Sequence, residues 1–242
     1  MRILSAAPSN TEILYALGLE DQIVGTTSLC DYPGAAREKP SIGGWSEGVN
    51  YNKIDELNPD IILLSDQLQD EQASKLSEKY EVLQVNPESL EEVFESIEKI
   101  GKRFNREKEA SKIISEMKEE IQEINLEGKR IYCEEWMDPP MVSGNWIPGL
   151  IEAANGDYFI GEERSRELVL EKLKEFDPEY IFLNVCGAGE NIDRNKILER
   201  SEWQEITAVK NEDIYVVNDA LLNRPGPRIV DGLKEIEGFI NP

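Results

Sequence analysis

The stretch that decides the fold is an amphipathic run at residues 89–127, SLEEVFESIEKIGKRFNREKEASKIISEMKEEIQEINLE. It begins with Ser89 and Glu92, a capping box in which each side chain satisfies a backbone N–H at the start of a helix. Apolar residues then recur three and four positions apart, which predicts a helix with one buried face. These positions are Leu90, Val93, Phe94, Ile97, Ile100, Phe104, Ala110, Ile113, Ile114, Met117, Ile121 and Ile124. Gly101 and Asn105 predict a kink or an end of the helix near them.

The length of this run leaves its role open between two structures. A continuous helix of this length would reach roughly 50 Å, more than one small domain requires. It is therefore either a helix or helical hairpin on the surface of one domain, or a strut that joins two lobes. The sequence on either side favours the strut.

Both flanks alternate strands with helices, which is typical of parallel α/β sheets. The apolar segment Ile61–Leu64 predicts a strand buried on both faces. One pattern occurs twice, at residues 53–63 and 172–182: a helix, an Asn-Pro or Asp-Pro turn with an acid, and a buried strand. We therefore predict an α/β fold of two Rossmann-like lobes, each with a central parallel sheet, joined by a single long backbone helix. The predicted bounds are 1–87 for the first lobe, 88–128 for the helix and 129–242 for the second lobe.

Composition excludes several classes of function. The net charge of −23 repels nucleic acids and anionic membranes, so we expect neither as a partner. The chain contains no histidine, which excludes Ser-His and Cys-His catalytic devices and histidine-rich metal sites. Cys30, Cys133 and Cys186 are far apart and odd in number, so we expect small core residues and not a disulfide framework or a zinc site.

No apolar run reaches the length of a membrane span, and we expect a monomer without membrane insertion. Two localisations stay open. The protein is cytoplasmic if Met1 is its native start, and periplasmic or extracellular and membrane-anchored if a leader was removed.

Large aromatic and apolar residues are concentrated in loops that follow predicted strands, where open α/β sheets bind ligands. Such side chains suit a bulky, flat, partly apolar ligand, and packing of the loops is the alternative role. The loop residues are Tyr32, Trp45, Trp136, Met141, Trp146, Leu221 and Leu222. Arg224 lies in a stiff Pro-Gly-Pro turn, where it can bind a carboxylate, amide or phosphate oxygen, or else pair with a nearby acid. Gly187 to Gly189 resembles a phosphate-binding turn but lacks the full glycine fingerprint.

Several of these motifs together resemble one family. They are Ser5–Gly18, Cys30–Pro33, Trp45, Leu57–Asp60, Glu134–Trp146 and Asn223–Arg228. They are similar to the class III periplasmic-type binding proteins of ABC transporters, specifically the cobalamin-binding group, with iron-siderophore binders as near relatives. The resemblance spans nearly the whole chain.

The resemblance implies non-enzymatic binding of cobalamin or a related corrinoid in a cleft between two lobes, for ABC-type uptake or corrinoid salvage. No intrinsic cofactor, catalytic residue or metal site is expected, because the corrinoid itself is the ligand. The resemblance implies Tyr32, Trp45, Met141, Trp146 and Arg224 as ligand-binding residues. The loop composition adds Leu221 and Leu222 to the predicted ligand-binding set. Glu171 matches an acid that contacts an ABC transporter permease, whereas Asn52 stands at the corresponding position of the first lobe, with Glu47 or Glu56 as the alternative acid there. The alternatives are an iron-siderophore or haem-type binding protein and, third, a corrinoid-processing enzyme.

Overall fold

The computed structural model describes residues 1–44, 48–65 and 69–241, and the chain forms two compact units. The first unit comprises Met1–Pro87 and Phe94–Ile114, and the second comprises Glu88–Val93 and Ser115–Pro242. The predicted α/β class with parallel sheets is confirmed, because each unit contains a sheet whose central strands are parallel. Within the described part of the chain, no helix has the length and apolar composition that a membrane span requires.

The first unit is built on a four-stranded parallel sheet in the order β2-β1-β5-β6. Its strands are β1 (Ile3–Ser5), β2 (Ile23–Thr26), β5 (Ile61–Leu64) and β6 (Glu81–Gln84), and β3 (Gly43–Gly44) and β4 (Gly48–Val49) form a separate hairpin. Its helices include α1 (Pro8–Ala16), α2 (Tyr51–Leu57) and α3 (Asp70–Ser77). Strand β5 is buried throughout, as its apolar sequence predicts.

The second unit has a sheet in the order β10-β8-β7-β11-β12, with β9 also paired to β7. The strands β9, β7, β11 and β12 are parallel, and β8 and β10 run antiparallel to their neighbours. The strands are β7 (Arg130–Met137), β8 (Pro140–Val142), β9 (Asp157–Tyr158), β10 (Arg166–Glu167), β11 (Tyr180–Leu183) and β12 (Ile214–Val216). The helices are α6 (Trp146–Ala153), α7 (Leu170–Phe176), α8 (Asn195–Leu198), α9 (Thr207–Asn211), α10 (Asp219–Leu222) and α11 (Ile229–Ile240).

The run predicted as one long helix over 88–128 is two helices, α4 (Leu90–Arg103) and α5 (Glu107–Glu123). The predicted break near Asn105 is confirmed, since Asn105 adopts a left-handed conformation with φ of 53°. A Cβ on Gly101 would lie 2.6 Å from that of Ala110, whereas nine residues of continuous helix would separate them by roughly 13 Å. The chain therefore turns back at Asn105, and a single continuous helix is wrong. That this segment links two lobes stays a prediction.

The repeated sequence pattern corresponds to a repeated structure. Helices α2 and α7 each end in a left-handed residue, Asn58 and Asp177, and each leads into a buried strand, β5 and β11. An arginine holds each turn. Arg2 donates from Nε to the Asn58 carbonyl (3.1 Å), and Arg130 donates from Nε to the Asp177 carbonyl (2.8 Å). The same helix-turn-strand motif therefore occurs in both compact units. Positions in one copy can be matched with positions in the other.

Candidate ligand-binding site

The carboxyl edge of the first sheet presents Tyr32, whose side chain is 47% exposed. Its loop is anchored below by Cys30, which is buried. The Cys30 sulfur accepts a hydrogen bond from Thr11 Oγ1 (3.1 Å) and lies 3.2 Å from Thr27 Oγ1. A fixed loop base with an exposed ring at its tip suits stacking on a ligand, since little conformational freedom remains to be lost on binding.

The first unit also contains the second predicted aromatic, Trp45, and an apolar recess. Trp45 lies outside the described residues, between the strands of the β3–β4 hairpin, so its role as a ligand contact stays a prediction. A small apolar recess is lined by residues that include Ala6, Thr27, Gly44 and Leu64. Ala6, Thr27 and Leu64 lie at or just after the carboxyl ends of β1, β2 and β5, so this edge of the sheet has an apolar floor.

In the second unit, the β7–β8 hairpin brings Met141 opposite Trp136. Met141 is half-buried, whereas Trp136 is 47% exposed and donates from Nε1 to the Asp138 carbonyl (2.9 Å). The hairpin therefore presents an indole and a thioether side by side. Sequence reasoning noted Trp136 among the loop aromatics but did not assign it to the site. Its pairing with Met141 depends on a bulge in the strand register that periodicity does not reveal.

Trp146 and Leu222 meet in the second unit, where the Trp146 indole donates to the Leu222 carbonyl (2.7 Å). The Leu222 side chain is fully buried and packs on Gly232, whose added Cβ would lie 2.7 Å from Leu222 Cδ2. We therefore correct the assignment of Leu222, which packs the core and does not offer its side chain to a ligand. Leu221, its neighbour in α10, is half-buried, as is Trp146.

Arg224 follows α10 on a firmly held turn. Asn223 donates from Nδ2 to the Asn184 carbonyl (2.7 Å), and Asn184 donates from Nδ2 back to Asn223 Oδ1 (2.6 Å). Asn184 is fully buried just beyond the end of β11. This reciprocal pair fixes the backbone from which the half-buried Arg224 extends at the carboxyl edge.

Glu134 and Glu135 are adjacent on β7 but have different environments. Glu134 is fully buried and accepts two hydrogen bonds from Arg200 (2.7 and 2.8 Å) and one from the Tyr132 hydroxyl (2.9 Å). Burial raises the pKa of Glu134, and Arg200 opposes that rise. Arg200 also donates to the Met137 carbonyl (2.9 Å). Glu134 is therefore a structural ion-pair partner and is not available as an acid or base.

Glu135 lies at the bulge of β7, where the regular alternation of side chains is interrupted, and its partners differ from those of Glu134. It is half-buried, and its Oε2 accepts a hydrogen bond from Ser165 Oγ (2.8 Å). Burial raises the pKa of Glu135, and the Ser165 hydrogen bond opposes the rise. Across residues 1–44, 48–65 and 69–241, the structure gives Glu135 no ion pair. The carboxyl edge of the second sheet thus carries a partly desolvated negative group.

Asp219 explains the glycine turn that resembled a phosphate site. Its carboxylate accepts the backbone N–H groups of Gly187 (2.8 Å) and Gly189 (2.9 Å). Those N–H groups are therefore already bonded to an anionic side chain of the protein, and the turn does not offer them to a phosphate.

The cysteine prediction is confirmed for Cys30 and Cys133, which are buried, and is wrong for Cys186, which is exposed. Cys186 follows β11, so it lies in a loop at the edge of the sheet. Although the residue as a whole is exposed, its sulfur accepts a hydrogen bond from Asn223 Nδ2 (3.1 Å) and is partly shielded from water. This desolvation raises the pKa of the Cys186 thiol to about 12, and the carboxylates of Glu135 and Asp219 add to the rise.

We expect Cys186 to react slowly with iodoacetamide at pH 8 in spite of its exposure. A thiol of pKa about 12 has on the order of a thousandfold less thiolate at this pH than an ordinary cysteine. Mass spectrometry of a labelling time course measures the rate, with the urea-unfolded protein as the reference. Labelling of the folded protein at the unfolded rate would contradict the assignment.

Comparison with known proteins identifies the class. A family model described as periplasmic binding protein matches residues 3–221. The chain belongs to this family. Its members bind a ligand and carry no intrinsic cofactor, so the chain is a binding protein and not an enzyme.

Two curated relatives match over nearly all of the chain. An uncharacterized ABC transporter substrate-binding lipoprotein of Bacillus subtilis (strain 168), YvrC, is 29% identical over 260 residues, which are 100% of this chain and 80% of the relative. The vitamin B12-binding protein of Vibrio cholerae serotype O1 is 24% identical over 246 residues, which are 97% of this chain and 87% of the relative.

Solved structures share the fold but differ in the ligands that their names give. A possible iron-binding (periplasmic solute-binding) protein of Staphylococcus epidermidis superposes with a TM-score of 0.83 at 26% identity, covering 100% of this chain and 98% of the other. The vitamin B12-binding protein BtuF of Vibrio cholerae superposes with a TM-score of 0.73 at 21% identity, covering 99% of this chain and 96% of the other. The haem-binding protein HutB of Vibrio cholerae superposes with a TM-score of 0.83 at 19% identity, covering 100% of this chain and 99% of the other. Overall fold therefore does not select among these ligands.

Proposed function

We propose that the protein binds cobalamin or a related corrinoid at the carboxyl edges of its sheets, as the substrate-binding protein of an ABC transporter. Named vitamin B12-binding proteins among its relatives support this ligand. The exposed rings of Tyr32 and Trp136, with Met141 beside the latter, suit the broad apolar faces of a corrin. Arg224 would donate to an amide oxygen or to the phosphate of the nucleotide tail.

The observation that carries the choice of a corrinoid is the charge at the carboxyl edge of the second sheet. Glu135 is partly desolvated there, and the edge also holds Asp219. Haem presents two propionates, and carboxylates that approach other carboxylates cost free energy. The peripheral amides of a corrinoid are neutral and include N–H donors. The missing histidine also removes the commonest haem ligand.

The iron-siderophore or haem alternative rests on one specific observation. The Staphylococcus epidermidis structure, named as possibly iron-binding, covers the whole chain at 26% identity. An anionic iron complex would require a cationic binding surface. The carboxyl edge of the second sheet carries Arg224 but also the carboxylates of Glu135 and Asp219. We therefore place the corrinoid first and treat an iron complex as the competing outcome of the binding experiments.

Glu171 is our proposed contact with a transporter permease. It lies exposed in the first turn of α7, and Asn52 occupies the corresponding position of α2 in the repeated supersecondary unit. The docking surface of the second unit would thus carry an acid that the first unit lacks at the matching position.

A thermal shift tests the ligand. Cyanocobalamin at about 100 times its dissociation constant should raise the unfolding free energy by about 2.7 kcal/mol, or the Tm by roughly 5–10 °C. Tyr32→Ala should weaken binding about tenfold by removing the stacked ring. The matched control, Tyr32→Phe, keeps the ring and should bind almost as tightly. No shift with any corrinoid, together with a shift with a ferric siderophore or haemin, would transfer the proposal to the alternative.

A further inference from the structure

We propose that Glu135 determines specificity, by accepting a hydrogen bond from a peripheral amide N–H of the ligand and rejecting a carboxylate at the same place. This inference rests on the proposed function, because it assumes a ligand with primary amides around its rim. It adds a polar recognition element to the apolar contacts of Tyr32, Trp136 and Met141.

The position of Glu135 is fixed through its backbone and its side chain. Its carbonyl accepts the N–H of Cys186 (3.0 Å), which ties the end of β7 to the segment that follows β11. Its Oε2 accepts the Ser165 hydroxyl (2.8 Å), and Ser165 Oγ itself accepts the N–H of Gly144 (2.9 Å). Because the hydroxyl has one proton, this chain of bonds holds the carboxylate in one orientation.

The hydrogen bonds of Glu135 are incomplete compared with those of its neighbour. A carboxylate can accept about four hydrogen bonds. Glu134 receives three from Arg200 and Tyr132, including both arms of a guanidinium, whereas the described residues supply the Glu135 side chain with one, from Ser165. Removing a carboxylate from water without such partners is costly. A ligand N–H would complete the set.

The chemistry of the missing partner follows from the surroundings. Glu135 lies next to Trp136 at the carboxyl end of a central strand, and Asp219 at the same edge is occupied by two glycine N–H groups. A neutral N–H donor gains a charge-assisted hydrogen bond there, whereas a ligand carboxylate meets like charge. The residue thus favours amides over acids at one place on the ligand rim.

The test compares ligands as well as variants. Cyanocobalamin and its separated monocarboxylic acids, in each of which one peripheral amide is hydrolysed, are titrated into wild type and Glu135→Gln at pH 7.5. For wild type we expect at least one acid to bind about a hundredfold more weakly than cyanocobalamin. In Glu135→Gln the added side-chain N–H₂ can donate to that acid. For this variant we expect the dissociation constant of that acid to lie within about threefold of the value for cyanocobalamin. Cyanocobalamin itself should bind the variant about tenfold more weakly than it binds wild type.

The controls separate this inference from its premise. Glu205→Gln alters a solvent-exposed carboxylate that pairs with Lys210 and should leave every dissociation constant unchanged. Ser165→Ala removes the hydrogen bond that orients Glu135 and should reduce the discrimination, which keeps the test decisive if Glu135→Gln folds poorly. Wild type that binds no corrinoid would overturn the proposed function. A second outcome would overturn the role of Glu135 alone. In that outcome wild type binds cyanocobalamin, and the ratio of the dissociation constants of the acid and of cyanocobalamin is the same in wild type and in both variants.

Discussion

Replacing Arg200 by Met should lower the free energy of unfolding by about 3–5 kcal/mol, the usual cost of leaving one member of a buried ion pair without its partner. For a chain of this length that corresponds to a fall in Tm of roughly 10 °C. The guanidinium makes two bonds to the fully buried Glu134 and one to the Met137 carbonyl, and it lies over the Trp203 ring at 4.4 Å. The substitution also releases the hairpin that carries Trp136 and Met141.

This destabilisation should depend on pH with a definite sign. Burial raises the pKa of Glu134, and Arg200 opposes that rise, so in Arg200→Met the folded-state pKa lies higher still. A carboxyl group that binds its proton more tightly when folded makes the protein less stable as pH rises from the unfolded pKa through the folded pKa. The Tm deficit relative to wild type should therefore be small near pH 5 and largest at pH 8.

Differential scanning calorimetry at several pH values measures this deficit. The double variant Glu134→Gln/Arg200→Met is the matched control, because it has no carboxyl group at position 134. Its deficit should be independent of pH. An Arg200→Met deficit that is equal at pH 5 and pH 8 would show that Glu134 is not the buried charge that Arg200 compensates.

Gly144→Ala should be the second most damaging change, at about 3 kcal/mol, the upper end for an overpacked site. Its Cβ would lie 2.5 Å from the Ser165 backbone nitrogen and closer still to the Glu163 carbonyl oxygen. Backbone atoms cannot rotate away, so the segment 163–165 must shift. That shift would also disturb the Ser165 hydroxyl that orients Glu135.

Gly161→Ala provides the matched control in the same unit. A Cβ on Gly161 meets no atom within 4 Å. The free energy of unfolding of this variant should therefore lie within about 0.5 kcal/mol of the wild-type value. Chemical denaturation of both variants gives the comparison. Equal midpoints for Gly144→Ala and wild type would mean that the close approach of residues 163–165 is not maintained in solution.

The sequence predicts the helices and strands more directly than it predicts which of them pack against each other. Helix periodicity identified one buried face over residues 89–127, and Gly101 with Asn105 indicated the break. Periodicity does not say what covers a buried face, so the contact between Gly101 and Ala110 was not foreseen. The repeated helix-turn-strand unit was predicted because its turn chemistry, an Asn or Asp before Pro, is local.

The site followed only in part for the same reason. The exposure of Tyr32 agrees with a loop at a strand end. The prediction that Trp136 and Met141 lie in a loop is wrong, because they belong to strands β7 and β8. Leu222 was misassigned because a four-residue helix is too short for periodicity to separate its buried side from its exposed side. The pairing of Glu134 with Arg200 spans 66 residues, and with 49 acids in the chain no pattern singles it out. A regular strand would place Glu134 and Glu135 on opposite faces, but the bulge in β7 interrupts that alternation, so the different partners of the two carboxylates could not be read from the sequence.

Equilibrium dialysis of the purified protein against cyanocobalamin and, separately, against haemin and a ferric hydroxamate siderophore tests the central claim most directly. The proposed function predicts saturable binding of one cyanocobalamin per chain, with a dissociation constant at least about a hundredfold below those of the two iron ligands, a difference of about 2.7 kcal/mol. Saturable binding of haemin or the siderophore without binding of cyanocobalamin would contradict it.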